Sequence, residues 1–162
     1  MKLNTSQSPG ITSNKIKEAV KSAVCEEDRS RNVLIFGKED LEGEDLNSTV
    51  SEIFLDLEEK PQIIDCRRLG TARPGECRPI KVKLSCSDAV SCLMKKAKML
   101  KSSERNKTTY LSEDRNKEER DLHKKLVALM KLKIKEEPEF YHFIKGGLVS
   151  SVRRKEPPVN RS

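Results

Sequence analysis

In the stretch Pro79-Ile80-Lys81-Val82-Lys83-Leu84, apolar and cationic residues alternate without a break from Ile80 onward. Successive side chains of a β-strand point to opposite faces, so Ile80, Val82 and Leu84 line one face and Lys81 and Lys83 the other. Such a strand is buried on one side only. It calls for a sheet with one face covered by helices and the other open to solvent.

The rest of the chain supplies those parts. Val33-Leu34-Ile35-Phe36, closed by Gly37, has the length and the β-branched, aromatic composition of a buried strand. After the acidic loop 38–45, Leu46, Val50, Ile53, Phe54 and Leu57 fall at helical spacing, with Asp45 as N-cap and Pro61 as the stop. Ile63, Ile64, Cys66 and Leu69 form a second strand ending at Gly70, and Pro74 and Gly75 turn the chain into the alternating segment. A second amphipathic helix starts after Ser85 or Ser87 and carries Val90, Leu93, Met94, Ala97 and Leu100 inward. Thr108 to Ser112 reads as a fourth strand. The order β-α-β-β-α-β predicts an α+β fold, the ferredoxin-like βαββαβ sandwich of RRM-like domains.

Sequence outside this block divides into three parts. Residues 1–30 read as a flexible leader carrying a short helix with an Ile16, Val20, Val24 stripe, either docked on the domain or ending a coiled coil. Residues 31–112 are the RRM-like domain. In 113–151, Asp114 is expected to cap a long helix with Leu122, Leu126, Leu129 and Met130 on one face, ended by Pro138. Phe140 to Ile144, Lys145-Gly146-Gly147 and Leu148-Val149 then read as a hairpin, because two glycines supply the positive φ of a tight turn. Residues 152–162 read as a disordered basic tail.

Composition narrows the function. Lysine and arginine number 33 against 26 acidic residues, a formal charge of +7 that favours a polyanionic partner. No stretch approaches the ~20 apolar residues of a membrane helix, and MKLNTSQSPG lacks the apolar segment of a secretory signal. A cytoplasmic or nuclear location without membrane partners is expected. Five cysteines, an odd number without a CxxC pair, argue for reduced thiols rather than disulfides or a zinc ribbon. His123 and His142 lack the close pairing with Cys66 or Cys86 that a zinc site needs. No GxxxxGK[ST], HExxH or GxSxG motif occurs, and no recurring carboxylate pair. The chain is therefore expected to be no enzyme and to take no metal or cofactor.

Lys81 and Lys83 stand where an RRM displays stacking aromatics on its third strand, and on the first strand Leu34 holds the usual stacking place, with only Phe36 to serve. Losing stacking, worth roughly 1–3 kcal/mol per base, shifts binding toward phosphate contacts with little sequence readout. Candidate contacts are Arg67, Arg68, Arg73, Arg78, Lys81 and Lys83, and alternation gathers Arg67, Lys81 and Lys83 on the helix-free face without interleaved carboxylates. Lys95, Lys96, Lys98 and Lys101 read as an ordinary solvated helix face. Lys145, at the hairpin tip, is a further phosphate contact. Alternation separates Tyr141 and Phe143 from Phe140 and His142, and one pair is expected to close a small core against the leucine stripe rather than stack on bases. The expected partner is single-stranded RNA or DNA; the alternative is an RRM-like protein-interaction module.

The runs Glu26 to Gly37, Cys66-Arg67-Arg68-Leu69-Gly70, Arg78 to Leu84, Tyr110 to Arg115, Glu118-Glu119-Arg120 and Phe143 to Gly147 together resemble the RRM-bearing first-open-reading-frame proteins of LINE-type non-LTR retrotransposons. The resemblance covers about residues 26–150. It implies a protein that coats its element's transcript, acts as a nucleic-acid chaperone and forms homo-oligomers, here through residues 15–27 or a coiled coil upstream of them. It also implies RNA contacts at Arg67, Arg68, Lys81, Lys83 and Arg115.

Overall fold

The structure, a computed structural model, describes residues 13–154; residues 1–12 of the expected leader and 155–162 of the expected tail lie outside the described residues. The chain forms two compact units, divided between Asp114 and Arg115.

In the first unit four strands, β1 (Asn32–Phe36), β2 (Ile63–Arg68), β3 (Ile80–Leu84) and β4 (Tyr110–Glu113), make a sheet in the order β2-β3-β1-β4. All neighbours in it are antiparallel. Three helices accompany the sheet: α1 (Ser13–Ser30), α2 (Leu46–Asp56) and α3 (Ser87–Lys96), the last continued by a 3-10 turn at Ala97–Ser102. The alternation in β3 works as expected. Ile80, Val82 and Leu84 are fully buried with Val33 and Ile35 of β1 and Leu111 of β4, against Val50, Ile53, Phe54 and Leu57 from α2 and its end and Val90, Leu93 and Leu100. Each such side chain contributes roughly 1.5–3 kcal/mol of burial, so this single core accounts for the unit.

Local chemistry fixes the element ends. Asp45 caps α2, accepting from the Asn47 amide and from the Ser48 hydroxyl at 2.6 Å. The Ser48 bond first, with backbone donors, holds its carboxyl below the usual carboxylate range. The helix stops before Pro61, through Glu58, whose φ of 55° turns the chain in the left-handed region. Gly37 closes β1 where a Cβ would collide with the Thr108 carbonyl oxygen. The Asp56 carboxylate accepts from Ser103 Oγ at 2.6 Å and Asn106 Nδ2 at 2.7 Å, anchoring the chain that leads into β4. Those two bonds lower its carboxyl below the ordinary range.

At its front the unit departs from expectation. α1 runs over 18 residues rather than three turns, and it buries none of them. Ile16, Val20 and Val24 stay 51–60% exposed.

The second unit comprises α4 (Lys117–Glu136), β5 (Phe140–Lys145) and β6 (Leu148–Arg153). Its helix is capped by Asn116, not by the expected Asp114. Asn116 accepts from the Glu119 amide at 2.8 Å while the Glu119 carboxylate accepts from the Asn116 amide at 2.7 Å. This reciprocal box needs a Glu or Gln three residues after the cap, where Asp114 has Lys117. Gly146 and Gly147, with φ of 58° and 74°, make the expected turn. β6 is longer than expected: Val152 and Arg153, assigned to the tail by sequence, pair with Tyr141 and Phe140. The half-buried side of α4 is His123, Leu126, Val127 and Met130, while Leu122 and Leu129 are exposed. Positions 123, 126, 127 and 130 are themselves an i, i+3, i+4, i+7 set. A helix with this many apolar residues offers two overlapping stripes, and packing selects one. Among the described residues no helix is long and apolar enough to cross a membrane.

Candidate nucleic-acid interface

The candidate interface is the sheet face opposite the core of the first unit. Strand register lays its side chains out in rows. Arg67, Lys81, Leu34 and Ser112 stand opposite one another across β2, β3, β1 and β4. Toward one end Phe36 faces Tyr110, and their rings stack with centroids 4.9 Å apart and planes 6° from parallel. Toward the other end Asp65, Lys83 and Asn32 form the next row. Tyr110 is 58% exposed, Arg67 is exposed, and Leu34, Phe36, Lys81 and Lys83 are half-buried.

Sequence reasoning missed Tyr110 as a partner of Phe36. The signal was present: Leu111 belongs to the core, so period two sends Tyr110 and Ser112 to the open face. An aromatic pair therefore lies on the same face as the cations, where the sequence offered only Phe36.

The cations are also not free of carboxylates. Lys81 Nζ bonds Asp114 Oδ2 at 2.7 Å, and Lys83 Nζ bonds Asp28 Oδ1 at 2.6 Å. Asn32 Nδ2 donates to the same Asp114 oxygen at 2.9 Å. The Lys83 hydrogen bond first, then the charges of Lys83, Arg31 and Lys81, holds the Asp28 carboxyl below its usual range. Both acids lie outside the four strands, 55 and 33 positions from their lysines, where strand alternation carries no information.

Arg68 and Arg78 are placed elsewhere. Alternation turns Arg68 away from Arg67, and its guanidinium is only 6% exposed. It reaches Glu44 at 2.7 Å and the carbonyl oxygens of Lys38, Glu39 and Arg78. Arg78 bonds Asp40 through two nitrogens. That contact raises the arginine further, and the Arg78 hydrogen bond, aided by the charges of Arg78 and Arg68, lowers the Asp40 carboxyl. The acidic loop thus does more than cap α2: it encloses Arg68, which is not offered to a ligand on the open face. Arg73, in the loop before Arg78, is exposed beside Glu76.

Arg115 and Lys145 belong to the second unit, Arg115 half-buried at its start and Lys145 exposed at the hairpin tip. There Phe140, His142 and Ile144 are half-buried and Tyr141 and Phe143 exposed, so the pair that faces inward is Phe140 with His142. The His142 ring is held by Ser151 Oγ at 2.7 Å and the Glu137 carbonyl at 3.1 Å. Arg154 lies over the Tyr141 ring, 4.5 Å from its centroid. Lys95 on α3 and Lys98 in the 3-10 turn that continues it are exposed, while Lys96 pairs with Glu59 at 2.8 Å.

All five cysteines are free thiols, and burial pushes that of Cys66 up. Among the described residues no three His, Cys, Asp or Glu side chains come together as a metal site. No protein-family model matches this chain, and no curated protein matches it significantly.

Proposed function

We propose that the first unit is a single-stranded nucleic-acid-binding module of the RRM-like class, without catalytic activity, and that RNA lies across its open sheet face. The strand order β2-β3-β1-β4, with α2 and α3 each joining two strands, supports the class. The sequence resemblance over about residues 26–150 supports the particular reading that the chain is akin to the first-open-reading-frame proteins of LINE-type retrotransposons. The observation that carries the function is the juxtaposition of Arg67, Lys81 and Lys83 with the stacked Phe36 and Tyr110 on one face. Cations neutralise phosphates whatever the sequence, and an exposed ring surface accepts any base. Binding is then salt-dependent and weakly sequence-specific.

The test is a salt titration of single-stranded RNA binding. Exchanging Lys81 and Lys83 together for glutamate should weaken binding about equally for different sequences. It should also reduce the slope of log K against log salt by roughly 0.7 per lost contact, about 1.4 in all. The same exchange at Lys95 on α3 and Lys98 in the 3-10 turn after it should do less. Equal losses from both pairs would remove the open face from the proposal.

A protein-interaction module is the second reading, and one observation favours it. A largely apolar cavity of about 330 Å³, lined by Phe54, Leu55, Pro61 and Ile63 among others, opens between the end of α2 and the start of β2. Absence of RNA binding at low salt would leave that reading in place of the first.

A further inference from the structure

The two lysines central to the open face are each occupied by a carboxylate from a segment flanking the sheet. Asp28 comes from the last turn of α1, before β1, and Asp114 from the residue after β4. A carboxylate oxygen at 2.6–2.7 Å from an ammonium nitrogen holds the position that a phosphate oxygen would take. α1 has no buried residue to anchor it, so its last turn lies at the sheet on polar contacts, among them Asp28 with Lys83 and with Arg31. Closure also carries a cost. Asn32, on the same face, is 1% exposed, and its side-chain oxygen has no hydrogen-bond partner although its amide nitrogen donates to Asp114. A buried acceptor left unsatisfied favours the alternative in which it meets solvent or a ligand donor.

We infer that Asp28 and Asp114 are internal competitors for the nucleic-acid site, a carboxylate latch in which the end of α1 and the exit of β4 hold Lys83 and Lys81 until phosphates displace them. This rests on the proposed function and specifies how that site is regulated. RNA that engages Lys83 releases Asp28 and with it the last turn of α1. RNA that engages Lys81 releases Asp114 and opens Asn32, whose free oxygen then accepts from a ribose hydroxyl or a base amino group.

The experiment uses the full chain, a single-stranded RNA oligonucleotide and the variants Asp28→Asn, Asp114→Asn and Glu52→Gln. Glu52 is exposed on α2, so its variant makes the same change in net charge away from the sheet face. Asp28→Asn leaves the core intact because α1 contributes nothing to it. Removing competition from a part-exposed ion pair should tighten RNA binding by roughly two- to fivefold for each latch variant, with a smaller change for Glu52→Gln. In the unmodified chain, saturating RNA should speed amide hydrogen exchange across residues 24–30. Equal gains from all three variants, or slower exchange in that turn with RNA bound, would overturn the latch while leaving RNA binding established. No binding by any variant at low salt would remove the proposed function and the latch together.

Discussion

The two units solve the same problem of covering apolar surface to very different degrees. All the fully buried residues among the described ones precede residue 112, and α4, β5 and β6 have none. A four-stranded sheet with helices over one face encloses a layer of side chains on every side. One helix against a two-stranded ribbon encloses the His142 side chain but covers most others only in part, leaving Leu129, Leu132 and Ile134 44–55% exposed. Stability is thus concentrated in the first unit, and the second depends on its capping box, its glycine turn and polar ties such as that of His142. The same contrast appears among charges: Arg68 is enclosed, whereas Lys145 stands in solvent.

Truncation of a core side chain is the strongest way to break this comparison. Phe54→Ala should cost about 3–5 kcal/mol in urea denaturation, whereas Leu129→Ala on α4 should stay within about 0.5 kcal/mol. Similar costs at the two sites would show that α4 is covered as well as α2 is.

Arg68 sharpens the contrast next. Removing it leaves Glu44, 8% exposed, as an uncompensated buried charge, so Arg68→Ala should destabilise the fold by roughly 3–5 kcal/mol. A loss of RNA affinity at unchanged stability would instead return Arg68 to the binding face.

Asp56 gives a smaller and pH-dependent effect. Its folded carboxyl lies below the ordinary carboxylate range, so its contribution is complete above about pH 4 and is lost as pH falls through the lowered folded value. Asp56→Asn should cost roughly 1–3 kcal/mol at pH 7 and less at pH 3, read from denaturation midpoints at the two pH values. An equal cost at both would mean that the ionised form has no special part in holding Ser103 and Asn106.

Tyr110→Ala should have the smallest effect on folding, since the ring is mostly exposed, yet it should weaken RNA binding for oligonucleotides of any sequence. Undiminished affinity would reduce the open face to its cations.

Much of the fold was legible because its signals are local. Alternation in β3 named its buried and open faces, and helical spacing named the apolar side of α2. Asp45 announced a cap, and Gly146-Gly147 a turn. Where two local readings competed, packing chose. Asn116 rather than Asp114 caps α4 because Glu119 completes the box, and α4 turns Val127 inward in place of Leu129. For the candidate site, sequence placed Arg67, Lys81 and Lys83 on one face but passed over Tyr110, although the burial of Leu111 implied it.

By itself, then, the sequence determined which residues alternate, which helices are amphipathic and where turns fall, because these depend on backbone periods that a few adjacent residues express. Only the tertiary structure decided which charges meet. Arg68 is enclosed by a loop more than twenty positions upstream, and Lys81 and Lys83 are capped by Asp114 and Asp28 from beyond both ends of the sheet. An ion pair forms between side chains that the fold brings within a few ångströms, and no period along the chain records that distance.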